Sequence, residues 1–153
     1  MTISRDIQSS FALCRDRVSK LLRDHPGKIH FATDTWTSPN HRAFVAWTVH
    51  LEHQGHMLAF LLDVVEVPEV RAYSCVRFPE LMLPLPQSYS GANLAAAFQA
   101  MLERFGLKNK ILAFNGDNAS QNDMQAVELA RKANSFSEDN RIRCFNHAMQ
   151  LSA

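Results

Sequence analysis

Ile7, Phe11, Cys14, Val18 and Leu21 recur at alternating steps of four and three along TISRDIQSSFALCRDRVSKLLRDHPG, with Arg and Asp between them. That spacing puts an apolar stripe on one face of a helix. Thr2 or Ser4 can cap its start, and Pro26 with Gly27 ends it. Residues 1–27 are thus expected to be an amphipathic helix packing on the sheet that follows. Three strand-like runs come next: KIHFATDTW, RAFVAWTVHLEH and HMLAFLLDVVEV, rich in β-branched and aromatic residues. The connections SPNH and HQGH carry the turn formers of hairpins, so the runs predict a three-stranded antiparallel meander.

SGANLAAAFQAMLERFG predicts a second helix, capped by Ser90, with apolar positions Leu94, Phe98, Met101, Leu102 and Phe105 and a stop at Gly106. KILAFNGD is short enough for a buried fourth strand, and DNASQNDMQAVELARKAN follows as a helix that Asn118 or Ser120 could cap. NRIRCFNHAMQLSA starts like a strand and then places His147 and Leu151 four apart, as on one helix face. The predicted order is α-β-β-β-α-β-α-β-α, an α/β chain with three antiparallel strands followed by alternating helices and strands. No internal repeat or linker divides it.

A chain of 153 residues can bury about 68 to 70% of its unfolded surface, so a real core is possible. Hydrophobic residues make up 46% and charged residues 20%, as in an ordinary globular domain. A formal charge of +1 leaves no basic footprint; if DNA is a partner, most of the grip lies elsewhere. Cys14, Cys75 and Cys144 are far apart and odd in number, which supports neither a disulfide framework nor a four-ligand zinc site. The expected compartment is intracellular. The longest apolar runs, such as LAFLLDVVEV, reach about half the roughly 20 residues of a membrane helix, so no membrane association is expected.

The chemistry gathers on two carboxylates. Asp34 is expected to end the first strand and Asp117 the fourth; if those strands are neighbours, both acids emerge at one edge of the core. Mg²⁺ commonly uses one or two protein carboxylates, with water and substrate phosphates filling its octahedron. Either Asp alone reads more often as a turn or cap residue; their place in the topology sets them apart. Asp63, Glu66, Asp123 and Glu128 read as surface carboxylates. Cys144 and His147, spaced as half a zinc site, lack a second pair, and His147 is expected to be a buried, hydrogen-bonded brace. The other histidines are expected to be exposed. Trp36 and Trp47 are expected to pack on each other across the first hairpin, with base stacking a further option for Trp36.

DTWTSPN at residues 34–40, SGANLAAAF at 90–98, NGDNASQND at 115–123 and RCFNHAMQLSA at 143–153 together resemble the first half of the catalytic core of hAT-superfamily DNA transposases. The resemblance runs through nearly the whole chain apart from about residues 69–89, and its specificity lies in the ordered set. It implies an RNase H-like fold, here incomplete over residues 28–153, and DNA cleavage by an Asp, Asp, Glu triad holding Mg²⁺ or Mn²⁺. By resemblance Asp34 and Asp117 are the first two acids and metal ligands, and Cys144 with His147 is the family's Cys-x-x-His element. The Glu, a zinc-binding DNA-binding finger and a dimerisation segment are expected outside this chain. The expectation is a transposase fragment or relic, ancestrally a nuclear, homo-oligomeric enzyme of transposon ends and inactive alone; the alternative is a domesticated DNA- or protein-interaction module without catalysis.

VRAYSCVRFPELMLPLPQ, residues 70–87, has neither period and contains three prolines. It is read as an irregular insertion, either an intron of 18 codons translated in frame or a functional loop over the active edge.

Overall fold

The computed structural model describes residues 3–40, 42–67, 90–145 and 149. The insertion at 70–87, His147 and the expected last helix face at His147 and Leu151 lie outside the described residues. Among the described residues nine elements follow in order: α1 (Ile3–Asp24), β1 (Ile29–Thr37), β2 (Ala43–His53), β3 (His56–Glu66), α2 (Gly91–Phe105), β4 (Ile111–Gly116), α3 (Ser120–Ala130), a 3₁₀ turn (Glu138–Asn140) and β5 (Arg141–Arg143). The strands form one five-stranded mixed sheet in the order β3-β2-β1-β4-β5. The chain is therefore α/β, with the meander antiparallel and β1, β4 and β5 parallel to one another.

Gln54 and Gly55, both at positive φ (52° and 80°), make the two-residue turn between β2 and β3. Such turns match the twist of the strands they join. Along β2 the odd positions Val45, Trp47, Val49 and Leu51 are buried, and they face the helices. Leu58, Phe60, Leu62 and Val65 of β3 pack against the same core, while Met57, Leu61 and Val64 are exposed on the opposite face. The side of α2 facing the sheet carries Leu94, Phe98, Met101, Leu102 and Phe105, all buried as the spacing predicts. Ser90 caps α2 by accepting a hydrogen bond from the Asn93 amide at 3.2 Å. Gly106 ends it in the left-handed conformation.

One irregularity sets the register between β1 and β4. Ile29 pairs with Ile111, yet His30 pairs with Ala113, so Leu112 is an extra residue in β4. From there Phe31 meets Phe114 and Ala32 meets Asn115.

α1 departs from its expected packing. Leu22 is fully buried, Ser19 is buried and Val18 packs on the core, but Ile7 and Phe11 are about two-thirds exposed, and Cys14 is also exposed. Only the last turns of the stripe dock, because the helix is held at that end. Arg23 donates to the Phe105 carbonyl at 3.3 Å, and Lys110 donates to the carbonyl of His25. Among the described residues, no helix is long and apolar enough to cross a membrane.

Candidate functional site

β1 continues to Thr37, so Asp34 lies within the strand rather than at its end, paired with Ala46 of β2. What stops near Asp34 is the parallel pairing with β4, whose last partners are Ala32 and Asn115. Asp34 is two residues past Ala32, and Asp117 is two residues past Asn115. Both acids thus lie just past the last β1–β4 pairing, Asp34 still within β1 and Asp117 one residue beyond the end of β4. Asp34 is exposed, and its carboxylate makes no hydrogen bond or ion pair to another described residue. Water meets its solvation need, so burial places no demand on it.

Asp117, half-buried, is tied down. Its Oδ1 accepts from the Ala119 amide at 2.9 Å and from Asn122 Nδ2 at 2.5 Å. This is an Asx turn, the local bond by which Asp initiates turns. It also corrects the expected cap of α3. The residue at the cap position is Ala119, which offers no side-chain bond, and Asp117 satisfies that amide in place of Asn118 or Ser120. Gly116 is wedged between β1 and α3: a Cβ there would lie 3.1 Å from Thr33 Cγ2 and 3.2 Å from Asn122 Cγ.

The fold also brings in a residue that the sequence reading passed over. Arg141, at the start of β5, has a side chain only 9% exposed. It donates through Nη2 to the Asp117 carbonyl at 2.7 Å and through Nη1 to the Gly116 carbonyl at 3.2 Å. Its guanidinium lies over Phe114, 5.8 Å from the ring centre, and 3.6 Å from Asp123. Burial pulls its pKa below the ordinary arginine value, partly offset by Asp123; arginine stays protonated even so. The only hint in the sequence is the Arg-Ile-Arg alternation of a strand with one side turned inward.

Cys144 is a half-buried free thiol whose amide donates to the Gly116 carbonyl at 3.1 Å, carrying the β5 ladder past Arg143. Asn115, Asn118 and Asn122 each hold a buried amide oxygen without a hydrogen-bond partner. Buried polar atoms are normally satisfied by protein, water or an ion. Asn122 carries its unpartnered oxygen on the amide that bonds Asp117, and an oxygen acceptor beside a carboxylate fits the hydrated octahedron of Mg²⁺ or Mn²⁺, which draws on few protein carboxylates and keeps several waters. Among the described residues, no three His, Cys, Asp or Glu side chains gather to hold a metal by themselves.

Several neighbours differ from expectation. Trp36 and Trp47 do not touch. Trp47 sits opposite Thr33 with its ring in the core, 5.7 Å from Phe98. Trp36 sits opposite Phe44 and stacks on it at 5.7 Å, 41% exposed. Because side chains alternate along a strand, the partners Thr33 and Trp36 point to opposite faces. His30 and His50, opposite each other on β1 and β2, are partly buried with ring centres 5.6 Å apart rather than exposed. Asp63 is largely buried in an ion pair with Arg104, whereas Glu66 and Asp123 stay at the surface as expected, paired with Arg42 and with Arg141 and Arg143, and Glu128 pairs with Arg131.

No protein-family model matches the chain. It is similar to "Putative transcriptional regulator tpeD" of Talaromyces stipitatus, 29% identical over 150 residues. That alignment covers 92% of this chain and 15% of the fungal protein, so the chain spans about one-seventh of that relative's length.

Proposed function

We propose that residues 28–153 are the first part of an RNase H-like catalytic core of the hAT transposase type, descended from an enzyme that cut and joined DNA at transposon ends. The observation that carries this reading is that Asp34 and Asp117 each come two residues after the last paired positions, Ala32 and Asn115, of the neighbouring parallel strands β1 and β4. The 3-2-1-4-5 strand order, antiparallel through the meander and parallel beyond it, supports the same fold. So does the spacing of the motifs at 34–40, 90–98, 115–123 and 143–153.

In this reading Asp34 and Asp117 hold Mg²⁺ or Mn²⁺. Held there, such a metal would supply activation of water or a 3′-hydroxyl and stabilisation of the leaving oxygen of a phosphodiester. Asp117 is oriented through Oδ1 by Ala119 and Asn122, while Asp34 stands in water, open to a strand of DNA. Residues 1–153 carry two of the three acids, so the chain alone binds Mn²⁺ weakly and does not cut DNA. Nuclear location, DNA as partner and homo-oligomer formation belong to the longer ancestral enzyme.

Calorimetric titration with Mn²⁺ tests the shared site. Asp34→Asn and Asp117→Asn should each lower affinity at least about tenfold, or about 1.4 kcal/mol; equal binding by wild type and Asp34→Asn would remove the shared site. Mn²⁺-dependent nicking by wild type that vanishes in Asp117→Ala would overturn the claim of inactivity. A second reading is a transposase-derived module that contacts DNA or protein without catalysis; the name of the relative, "Putative transcriptional regulator tpeD", is in keeping with contact to DNA. DNA binding that is indifferent to Mn²⁺ and to both Asp→Asn changes is its distinguishing result.

A further inference from the structure

We infer that Arg141 is a positioning residue that holds the strand end carrying Asp117, an inference that rests on the reading of Asp117 as a metal ligand. Arginine on a short edge strand would ordinarily lie in water, whereas this side chain is 9% exposed. Burying a cation is costly unless its donors are met. The nearest carboxylate, Asp123, lies 3.6 Å away and is itself 44% exposed, and Arg143 competes for it at 3.4 Å. The closer contacts of the buried fork are to peptide oxygens: Asp117 O and Gly116 O, with Ile142 O beside them.

Those peptide oxygens mark the point where β4 stops and the Asx turn begins. Gly116 O also accepts from Cys144 N, and Gly116 itself is pressed between Thr33 and Asn122. Asp117 is thus gripped from two sides, its carbonyl by β5 through Arg141 and its carboxylate by α3 through Asn122. Both side-chain bonds fall on Oδ1. Arg141 fixes the peptide, so the carboxylate does not swing when it meets a ligand. A planar fork can span two adjacent carbonyls; a lysine ammonium is a single point and cannot reproduce that span.

The test separates positioning from general stabilisation by reading two amides in the metal-free protein. Ala119 N–H, which donates to Asp117 Oδ1, should exchange with solvent at least about tenfold faster in Arg141→Met, while Val49 N–H in the core of β2 keeps its rate. Arg141→Lys should accelerate Ala119 by a smaller factor, and it serves alone if the Met variant does not fold. With Mn²⁺, Arg141→Met should weaken binding in the wild-type background and add nothing in an Asp117→Asn background. Unchanged exchange at Ala119, or equal acceleration at Ala119 and Val49, overturns the inference. If wild type and Asp34→Asn bind Mn²⁺ alike, the metal site has failed, and the exchange arm still decides whether Arg141 holds the turn.

Discussion

Gly91, the first residue of α2, lies against Met124 of α3 so closely that a Cβ on it would sit 2.4 Å from the Met124 Cβ and 2.6 Å from the Gln125 amide nitrogen. The obstacle is backbone as well as side chain, so no rotamer change relieves it. Gly91→Ala is therefore expected to destabilise by about 1–3 kcal/mol through overpacking, despite the better helix propensity of alanine. The unfolding midpoint should fall by roughly 2–4 °C per kcal/mol. A midpoint equal to or above wild type would show that α2 and α3 separate freely.

Phe98 is the hub of the core, with ring centres of Phe31, Trp47 and Phe114 at 5.4, 5.7 and 5.3 Å. Phe98→Ala is expected to cost about 3–5 kcal/mol, and Phe98→Leu clearly less. Urea unfolding followed by the fluorescence of buried Trp47 checks the ranking. A loss below about 1 kcal/mol would mean the site collapses around the missing ring.

His30 carries a pH dependence. Burial, and then the neighbouring His50, lower its pKa below the ordinary 6.5. The folded state thus keeps His30 neutral while the unfolded chain takes up a proton below about pH 6.5. Stability contributed by the neutral ring is complete above that pH and is lost as pH falls through the window between the unfolded pKa and the lower folded one. His30→Gln should flatten the unfolding midpoint between pH 7 and pH 5, and His50→Gln should flatten it in part. An unchanged slope in both variants would place the acid sensitivity elsewhere.

Asp117 has two jobs that separate by substitution. Asn keeps an acceptor for Ala119 and Asn122 but loses the charge, whereas Ala loses both. Asp117→Asn should leave stability nearly unchanged, while Asp117→Ala should cost about 1 kcal/mol, as for a lost helix cap. Chemical denaturation of the metal-free protein distinguishes them. Equal losses in the two variants would make the charge, rather than the turn, the structural contribution.

Local periodicity carried much of this architecture. The Leu94-to-Phe105 spacing, the Ser90 cap and the Gly106 stop are properties of one segment and its own backbone bonds, and all three appear as read. That Asp34 and Asp117 belong to neighbouring strands was legible from strand order; their level depends on the register of β4 against β1, extra residue included. What escaped depends on facts that no single segment holds. Whether Trp36 meets Trp47 or Phe44 depends on the register of β1 against β2, and His30 meets His50 for the same reason. Arg141 could not be assigned from its own neighbours, since its partners Gly116 and Asp117 lie 25 and 24 residues away in the chain. The stripe of α1 reads as a core-facing surface along its full length, but only the turns near Leu22 reach the sheet; a helix's own sequence does not say how far its neighbour extends.

The extra residue at Leu112 makes the candidate site a matter of counting. Loss of that one codon would let β4 pair without its irregularity and keep every later partner in β1, whereas gain of one codon after Ala113 would bring each later residue one place out of step with β1. Asp117 would come level with Thr35 instead of Asp34, displaced by about 3.3 Å, and Phe114 would exchange the core for the opposite face. A lineage could thus disarm this chain without altering either acid. A copy that retained both aspartates and every motif around them, one residue longer in β4, would look intact letter by letter and be broken in space.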